Sequence, residues 1–393
     1  MNSPRRILIL GSTGSIGVNT VAVLEHLASH GRPFQVIGLA AGRSAAVLAE
    51  QAIKLRPTAV ALASGDDPSL RNIPTGTDVI TGTGSALELV RRHARRGDLV
   101  VGAMVGAEGI PPLLAAIDAG CDIALANKET LVAAGELVTS HARRAGIEII
   151  PVDSEHSAIL QCMRGGSPQE VERIVLTASG GPFRRASREQ LESATLADAL
   201  RHPTWSMGRK VTIDSATMMN KALEVIEAHW LFNLPAERID AIVHPQSVVH
   251  SFVEYRDGSV LAQLSPPDMR LPIELALTWP ERASRCATAM DWQALRTLDF
   301  EPVDHERFPA VSLAWQAIRA GGSSGATLNA ANEAAVEAFI DGQVRFAEIA
   351  RLVRGALEAL PVTPVATLDH VLAADRAARA WVQSRIAAEP VPG

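Results

Sequence analysis

The chain has 393 residues, 47% of them hydrophobic, and only three cysteines, so it can form two or three domains without disulfide or zinc staples. Its net charge is −6, from 37 Lys and Arg against 43 Asp and Glu with the signs interspersed, which argues against a general nucleic-acid binder. No apolar run approaches the ~18 residues that a spanning helix needs, and the N-terminal MNSPRRILILGSTG reads as a first strand rather than a signal peptide. We therefore expect a cytoplasmic protein with no membrane or nucleic-acid partner.

From residue 5, short apolar runs alternate with amphipathic segments: RRILIL, a helix from about Ser15, FQVIGLA, a helix from about Ser44, then TAVALAS, DVITG, DLVVGAMVG, CDIALAN and IEIIPVD. Strands separated by helices imply βαβ units and a parallel sheet. The basic run at 91–96 reads as a solvated helix face. The first turn, Gly11-Ser-Thr-Gly14-Ser-Ile-Gly17, follows a strand and opens a helix, where backbone N–H groups and the helix dipole can hold a pyrophosphate. Its GxxGxxG spacing equally fits a glycine turn made for packing. The second strand ends in Gly42-Arg43-Ser44, with no acid for a ribose 2′-hydroxyl but a cation for a 2′-phosphate, which favours NADP over NAD.

Asn127-Lys128-Glu129 follows the strand CDIALA, where ligands of open α/β sheets sit; a surface Lys-Glu pair is the alternative. In Asp153-Ser154-Glu155-His156, an extended backbone would point both carboxylates at one cation. The same residues also suit an acidic turn capping the helix SAILQCM. Ser179-Gly180-Gly181-Pro182 ends a further strand, with small residues that allow a ligand or only a turn. A helical stretch at about 188–201 leads to His202-Pro-Thr-Trp205-Ser-Met207-Gly208. Aromatics are 4% of the chain, so Trp205 between a proline and a glycine fits either a lid over a small substrate or helix packing.

RKVTID reads as a strand entering a helix at Ser215, with Asp214, Ser215 and Thr217 as candidate caps. Asn220, Lys221 and Glu224 share one face of that helix, and N–H groups, a hydroxyl, an amide and an ammonium at one helix start suit a phosphate monoester. Residues 239–265 read as strands, the last two joined by an Arg-Asp-Gly hairpin, with the helix in DMRLPIELALTW beside them as a possible dimer surface. Irregular composition from about 281 to 308 suggests a linker, and helical periodicity follows to the end.

Several motifs resemble the 1-deoxy-D-xylulose 5-phosphate reductoisomerase family: GSTGSIG at 11–17, ANKETL at 126–131, PVDSEH at 151–156, SGGPF at 179–183, HPTWSMGRKVTIDSATMMNKALE at 202–224, HPQSVVHS at 244–251, DGSVLAQL at 257–264, PDMR at 267–270 and LNAANE at 328–333. The resemblance implies NADPH- and metal-dependent isomerisation and reduction of a sugar phosphate in the non-mevalonate isoprenoid pathway, by a cytoplasmic homodimer. It implies that Asp153, Glu155 and Glu224 bind Mg²⁺ or Mn²⁺, with Ser154 beside the substrate. Ser179, Ser215, Asn220 and Lys221 would hold the phosphate. His202, Trp205 and Met207 would belong to a flap, with Gly208 at its edge and Met207 and Gly208 toward the cofactor. Lys128, Glu155 and His202 would serve the chemistry. Gly11, Thr13, Gly14, Ser15 and Ile16 would bind the cofactor diphosphate, Gly42, Arg43 and Ser44 its 2′-phosphate, and Asn127, Lys128 and Glu129 its inner half. Family members often carry lysine at 43; the arginine here keeps the charge.

The expected class is α/β: a Rossmann-like doubly wound parallel sheet (1–150), a central α+β catalytic and dimerisation domain with a mixed sheet (151–285), a linker (286–308) and a small C-terminal helical domain (309–393). A dehydrogenase of the homoserine dehydrogenase kind would share the two-domain plan but gives those carboxylates no metal to gather. An NADP-sensing scaffold would perform no chemistry.

Overall fold

The computed structural model describes residues 4–201 and 208–388. The chain divides into two compact units, one of Met1–Thr130, Val138–Ser157 and Asp268–Thr288, the other of Leu131–Leu137, Ala158–Pro267 and Ala289–Gly393.

In the first unit the apolar runs form seven strands: β1 (Arg5–Leu10), β2 (Phe34–Ala41), β3 (Ala59–Leu62), β4 (Asp78–Thr81), β5 (Leu99–Gly102), β6 (Asp122–Leu125) and β7 (Ile149–Pro151). They pair in parallel in the order β4-β3-β2-β1-β5-β6-β7. Ile7, Leu8, Ile9 and Leu10 are fully buried, as strands covered on both faces must be. Helices α1 (Ser15–Ser29), α2 (Ala45–Leu55), α3 (Ser85–His93) and α4 (Ile110–Asp118) supply the crossovers. The basic run closes α3, with Arg91, Arg92, Arg95 and Arg96 exposed. α5 (Lys128–Ala145) bends at Ala134, where φ is −131° and ψ 23°, and its middle turn, Leu131–Leu137, clusters with the second unit.

α6 (Ser154–Cys162) begins immediately after Asp153, and the Ser157 N–H donates to the Asp153 carbonyl at 2.8 Å. Asp153 and Glu155 therefore do not lie on an extended segment, yet their carboxylate oxygens still come within 4.8 Å of each other, as the sequence suggested.

The second unit holds a mixed sheet of β8 (Val171–Ala178), β9 (Ile239–Val243), β10 (Val249–Tyr255), β11 (Val260–Leu264) and β12 (Glu301–Pro302), ordered β11-β10-β8-β9-β12. Only β8 and β9 run parallel, and β10 and β11 form the expected hairpin. The stretch at 188–201 breaks into α7 (Arg188–Glu192) and α8 (Leu196–Ala199), because Ser187 and Thr195 each start a new capping box.

RKVTID is not a strand. Residues Arg209–Ala216 form helix α9, followed after Thr217 and Met218 by α10 (Met219–Phe232). Val211 and Ile213 alternate like a strand, but the helix pairs Lys210 with Asp214 at 3.0 Å and buries Thr212, Ile213, Asp214 and Ala216 on one side. Tertiary packing overrides β-branched propensity here. Met218 turns the corner at φ 62°, and the Thr217 hydroxyl donates to the Asp214 carbonyl at 3.1 Å.

α11 (Arg270–Thr278) belongs to the first unit and packs on α1, β6 and β7. Ile273, Leu275 and Leu277 are thus buried within one chain. α12 (Ala310–Ala320), α13 (Ser324–Ile340), α14 (Glu348–Ala359) and α15 (Leu368–Ala388) cluster with the mixed sheet rather than as a separate unit. No helix among the described residues is long and apolar enough to cross a membrane.

Candidate active site

In the first unit the site residues gather at the carboxyl edge of the parallel sheet. Sheet order reverses between β1 and β5, the switch point where an open α/β sheet leaves a crevice. Gly11 follows β1 with φ +90°, and a Cβ there would lie 2.4 Å from the Ala103 carbonyl oxygen. A Cβ on Gly17 would lie 2.3 Å from the Gly11 oxygen. These two glycines thus let α1 approach the sheet, which is the packing reading. Gly14 is different: it is exposed, its Cβ position meets nothing closer than 3.5 Å, and no side chain caps α1 there. Thr13, Ser15 and Ile16 flank it at least partly accessible, so backbone and hydroxyls can meet a diphosphate. Gly42, Arg43 and Ser44 are all exposed just past β2.

Asn127 is 3% exposed and caps α5, accepting from Thr130 N–H at 2.9 Å. Its amide donates to the Met104 and Gly106 carbonyls and to Glu129 Oε2. It ties the end of β6 to the 104–106 loop and orients the buried Glu129. Lys128, next to it, forms an ion pair with Asp153. Ser154 Oγ donates to Glu155 Oε2 at 2.5 Å. One cation and two carboxylates are thereby collected where β6 and β7 end.

In the second unit, β8 delivers Ser179, whose hydroxyl accepts from Gly181 N–H at 3.2 Å. Gly180 and Gly181 have φ of +82° and +64°, and a Cβ on Gly181 would meet the Ser215 carbonyl at 2.7 Å. Only glycine lets this loop reach the end of α9. Ser215 therefore sits in the last turn of α9, not at a helix start. Asn220 and Lys221 occupy the first turn of α10, which contains no acid. Asn220 donates to Glu224 Oε1 at 2.5 Å, and Lys221 forms an ion pair with Glu224. Lys221 is 3% and Glu224 1% exposed; a pair this deep is tolerable only because each charge has a partner.

Hard carboxylate oxygens in this set suit Mg²⁺ or Mn²⁺ rather than a soft thiophilic ion. Thiol chemistry is disfavoured: burial, then nearby carboxylates, push Cys121 and Cys286 up to about 12, so both stay protonated. His202, Trp205 and Met207 lie outside the described residues, and Gly208 is exposed at the start of α9. Sequence reasoning treated Asp214 as a cap and passed over Lys210 and Asn332. The signal was the Lys-x-x-x-Asp spacing, which becomes meaningful only once 209–216 is known to be helical.

Three family models match the chain. One described as 1-deoxy-D-xylulose 5-phosphate reductoisomerase covers residues 7–135, its C-terminal domain covers 149–232, and a DXP reductoisomerase C-terminal domain covers 264–381. The chain is 49% identical over 386 residues to the 1-deoxy-D-xylulose 5-phosphate reductoisomerase of Pelodictyon phaeoclathratiforme, spanning 98% of this chain and 100% of that one. The Rhodococcus jostii protein of the same name is 50% identical, over 96% of this chain and 93% of its own. Among solved structures, the Zymomonas mobilis reductoisomerase in complex with NADPH superposes with TM-score 0.90 at 42% identity, covering 98% and 99% of the two chains. A DOX-P reductoisomerase in complex with NADPH, fosmidomycin and magnesium gives TM-score 0.89 at 37% identity and 98% coverage of each chain.

Proposed function

The chain belongs to the 1-deoxy-D-xylulose 5-phosphate reductoisomerase family, and from that premise we propose which of its residues perform the family's reaction. The enzyme isomerises and reduces 1-deoxy-D-xylulose 5-phosphate to 2-C-methyl-D-erythritol 4-phosphate, using NADPH and a divalent cation.

The observation that carries the residue assignment is the buried cluster of Asn220, Lys221 and Glu224 opening α10. Two of its three members are donors beside a helix start without acids, a setting for an anion. Ser179, Ser215, Asn220 and Lys221 hold the substrate phosphate in this reading. The phosphate lies far from the reacting carbons, so its binding energy is available to order the flap and exclude water. The family resemblance assigns that flap to His202, Trp205 and Met207, which lie outside the described residues.

Asp153, Glu155 and Glu224 hold the cation, with Ser154 beside the substrate. When bound, the cation polarises the substrate ketone and NADPH supplies hydride. Support comes from the chemistry of the donors: each of Asp153 and Glu224 already faces an ammonium group, Lys128 or Lys221, so each stands where a positive charge is favourable. Lys128 and Glu155 then remain near the reacting end to hold or move a proton. Gly11 to Ile16 cradle the cofactor diphosphate and Gly42 to Ser44 its 2′-phosphate, while Asn127 and Glu129 set the inner wall.

A homodimer is supported by β11, an edge strand with Val260 53% and Leu261 40% exposed, since a bare apolar edge invites a second copy. The three thiols are free of disulfides, in keeping with a reducing cytoplasm.

The test is NADPH oxidation followed at 1-deoxy-D-xylulose 5-phosphate saturation, with and without Mg²⁺ or Mn²⁺. Metal-dependent oxidation with formation of 2-C-methyl-D-erythritol 4-phosphate is expected; oxidation that persists after chelation contradicts the cation's role.

A further inference from the structure

We propose that Asn332, on α13, is a positioning residue for the phosphate site, acting through Asp214 on Ser215; this rests on the phosphate assignment above. Asp214 is 1% exposed and is held from two sides, by Lys210 Nζ at 3.0 Å within α9 and by Asn332 Nδ2 at 2.8 Å from α13. An ionised carboxylate only accepts, so the Asn332 amide must present its NH₂ to it. The Asn332 side chain is fully buried, and its Oδ1 has no hydrogen-bond partner among the described residues.

That arrangement is expensive for packing alone. A leucine of similar volume would fill the site with no stranded carbonyl. What the amide supplies instead is a fixed direction for Asp214 and hence for the last turn of α9. Ser215 is the next residue. Its backbone oxygen abuts Gly181 from the β8 loop, and the Asp214 carbonyl accepts from Thr217 Oγ1 at 3.1 Å. The turn carrying the phosphate hydroxyl is thus gripped by the β8 loop, by the corner into α10, and by Asn332. Releasing the third grip lets Ser215 drift, and a misplacement of about 1 Å in a binding group costs on the order of 10²-fold at the extreme.

The experiment compares Asn332→Leu, Asp214→Asn and the exchanged double variant Asp214→Asn/Asn332→Asp, with Ser215→Ala and Lys221→Ala run in parallel. Each is measured for KM and kcat on 1-deoxy-D-xylulose 5-phosphate, for activity on the dephosphorylated sugar, for KM of NADPH and for Tm. Asn332→Leu should raise KM for the phosphorylated substrate roughly tenfold, leave KM of NADPH within about twofold and spare the dephosphorylated sugar. The exchanged pair should recover most of that loss, because it restores an amide facing a carboxylate. An unchanged KM, or an equal loss on both sugars and on NADPH, overturns the inference, as does an exchanged pair no better than either single variant. If Asn332→Leu does not fold, the comparison of Asp214→Asn with the exchanged pair decides alone. Should Ser215→Ala and Lys221→Ala also leave the phosphate preference intact, the phosphate assignment itself fails; if they shift it and the Asn332 variants do not, only the positioning role fails.

Discussion

Two regions carry the assigned site residues, and they are built from different materials. At the carboxyl edge of the parallel sheet the backbone does most of the shaping: Gly11 at φ +90° meets the 103–104 segment, Gly14 is exposed, and Arg43 and Ser44 reach into solvent. At the α9–α10 corner the shaping is done by buried side chains, with Asp214, Lys221 and Glu224 each at most 3% exposed and each bonded to a partner. A backbone-built site changes little when one exposed side chain is replaced. A site of interlocked buried charges loses far more, because every substitution strands a partner.

The largest effect should follow Glu224→Gln, which removes a proposed cation ligand and the carboxylate charge paired with Lys221. We expect turnover to fall by about 10³-fold or more, while NADPH affinity, read by cofactor fluorescence, stays unchanged. Next comes Lys221→Ala, expected to raise KM for the phosphorylated substrate by roughly 10²-fold as a charge-assisted contact is lost. An equal loss on the dephosphorylated sugar would place Lys221 elsewhere. At the sheet edge, Arg43→Glu should weaken NADPH binding by about tenfold or more and narrow its margin over NADH. If that variant proved as damaging to turnover as Glu224→Gln, the contrast between the two regions would collapse.

The smallest effect lies away from both. Burial raises the Asp268 carboxyl, but hydrogen bonds from the Arg270 guanidinium and from the Thr288 and Arg270 N–H groups outweigh it and hold the group at about 2. The folded value lies below the ordinary 3.8, so the ionised form stabilises the fold above about pH 4 and that contribution fades as pH falls toward 2. Asp268→Asn should therefore lower the urea midpoint at pH 6, with the gap to the parent closing between about pH 4 and pH 2.

The same contrast explains what could be read from the sequence. Parallel strands buried on both faces leave continuous runs such as RRILIL and FQVIGLA, and a backbone-built turn leaves its glycines, so the sheet and Gly11–Gly17 were legible. The α9–α10 corner left no such trace. Val211 and Ile213 imitate a strand, and what makes 209–216 a helix is its buried face and Asn332, 118 residues away. Asp153 and Glu155 were identified correctly as neighbours at a strand end, but α6 starts between them because Ser157 can bond back to Asp153. Helix DMRLPIELALTW looked like a free apolar surface because its cover, α1, lies some 250 positions earlier in the chain.

In the proposed site, carboxylates separated in the sequence hold one cation. Mn²⁺ titration of the NADPH-bound protein, followed by the loss of the free Mn²⁺ EPR signal, tests it most directly in the parent, Asp153→Asn and Glu224→Gln. One site in the parent, weakened at least ~10-fold by either substitution, is the predicted result. Parent-like Mn²⁺ affinity in either variant, with NADPH still bound, would contradict it.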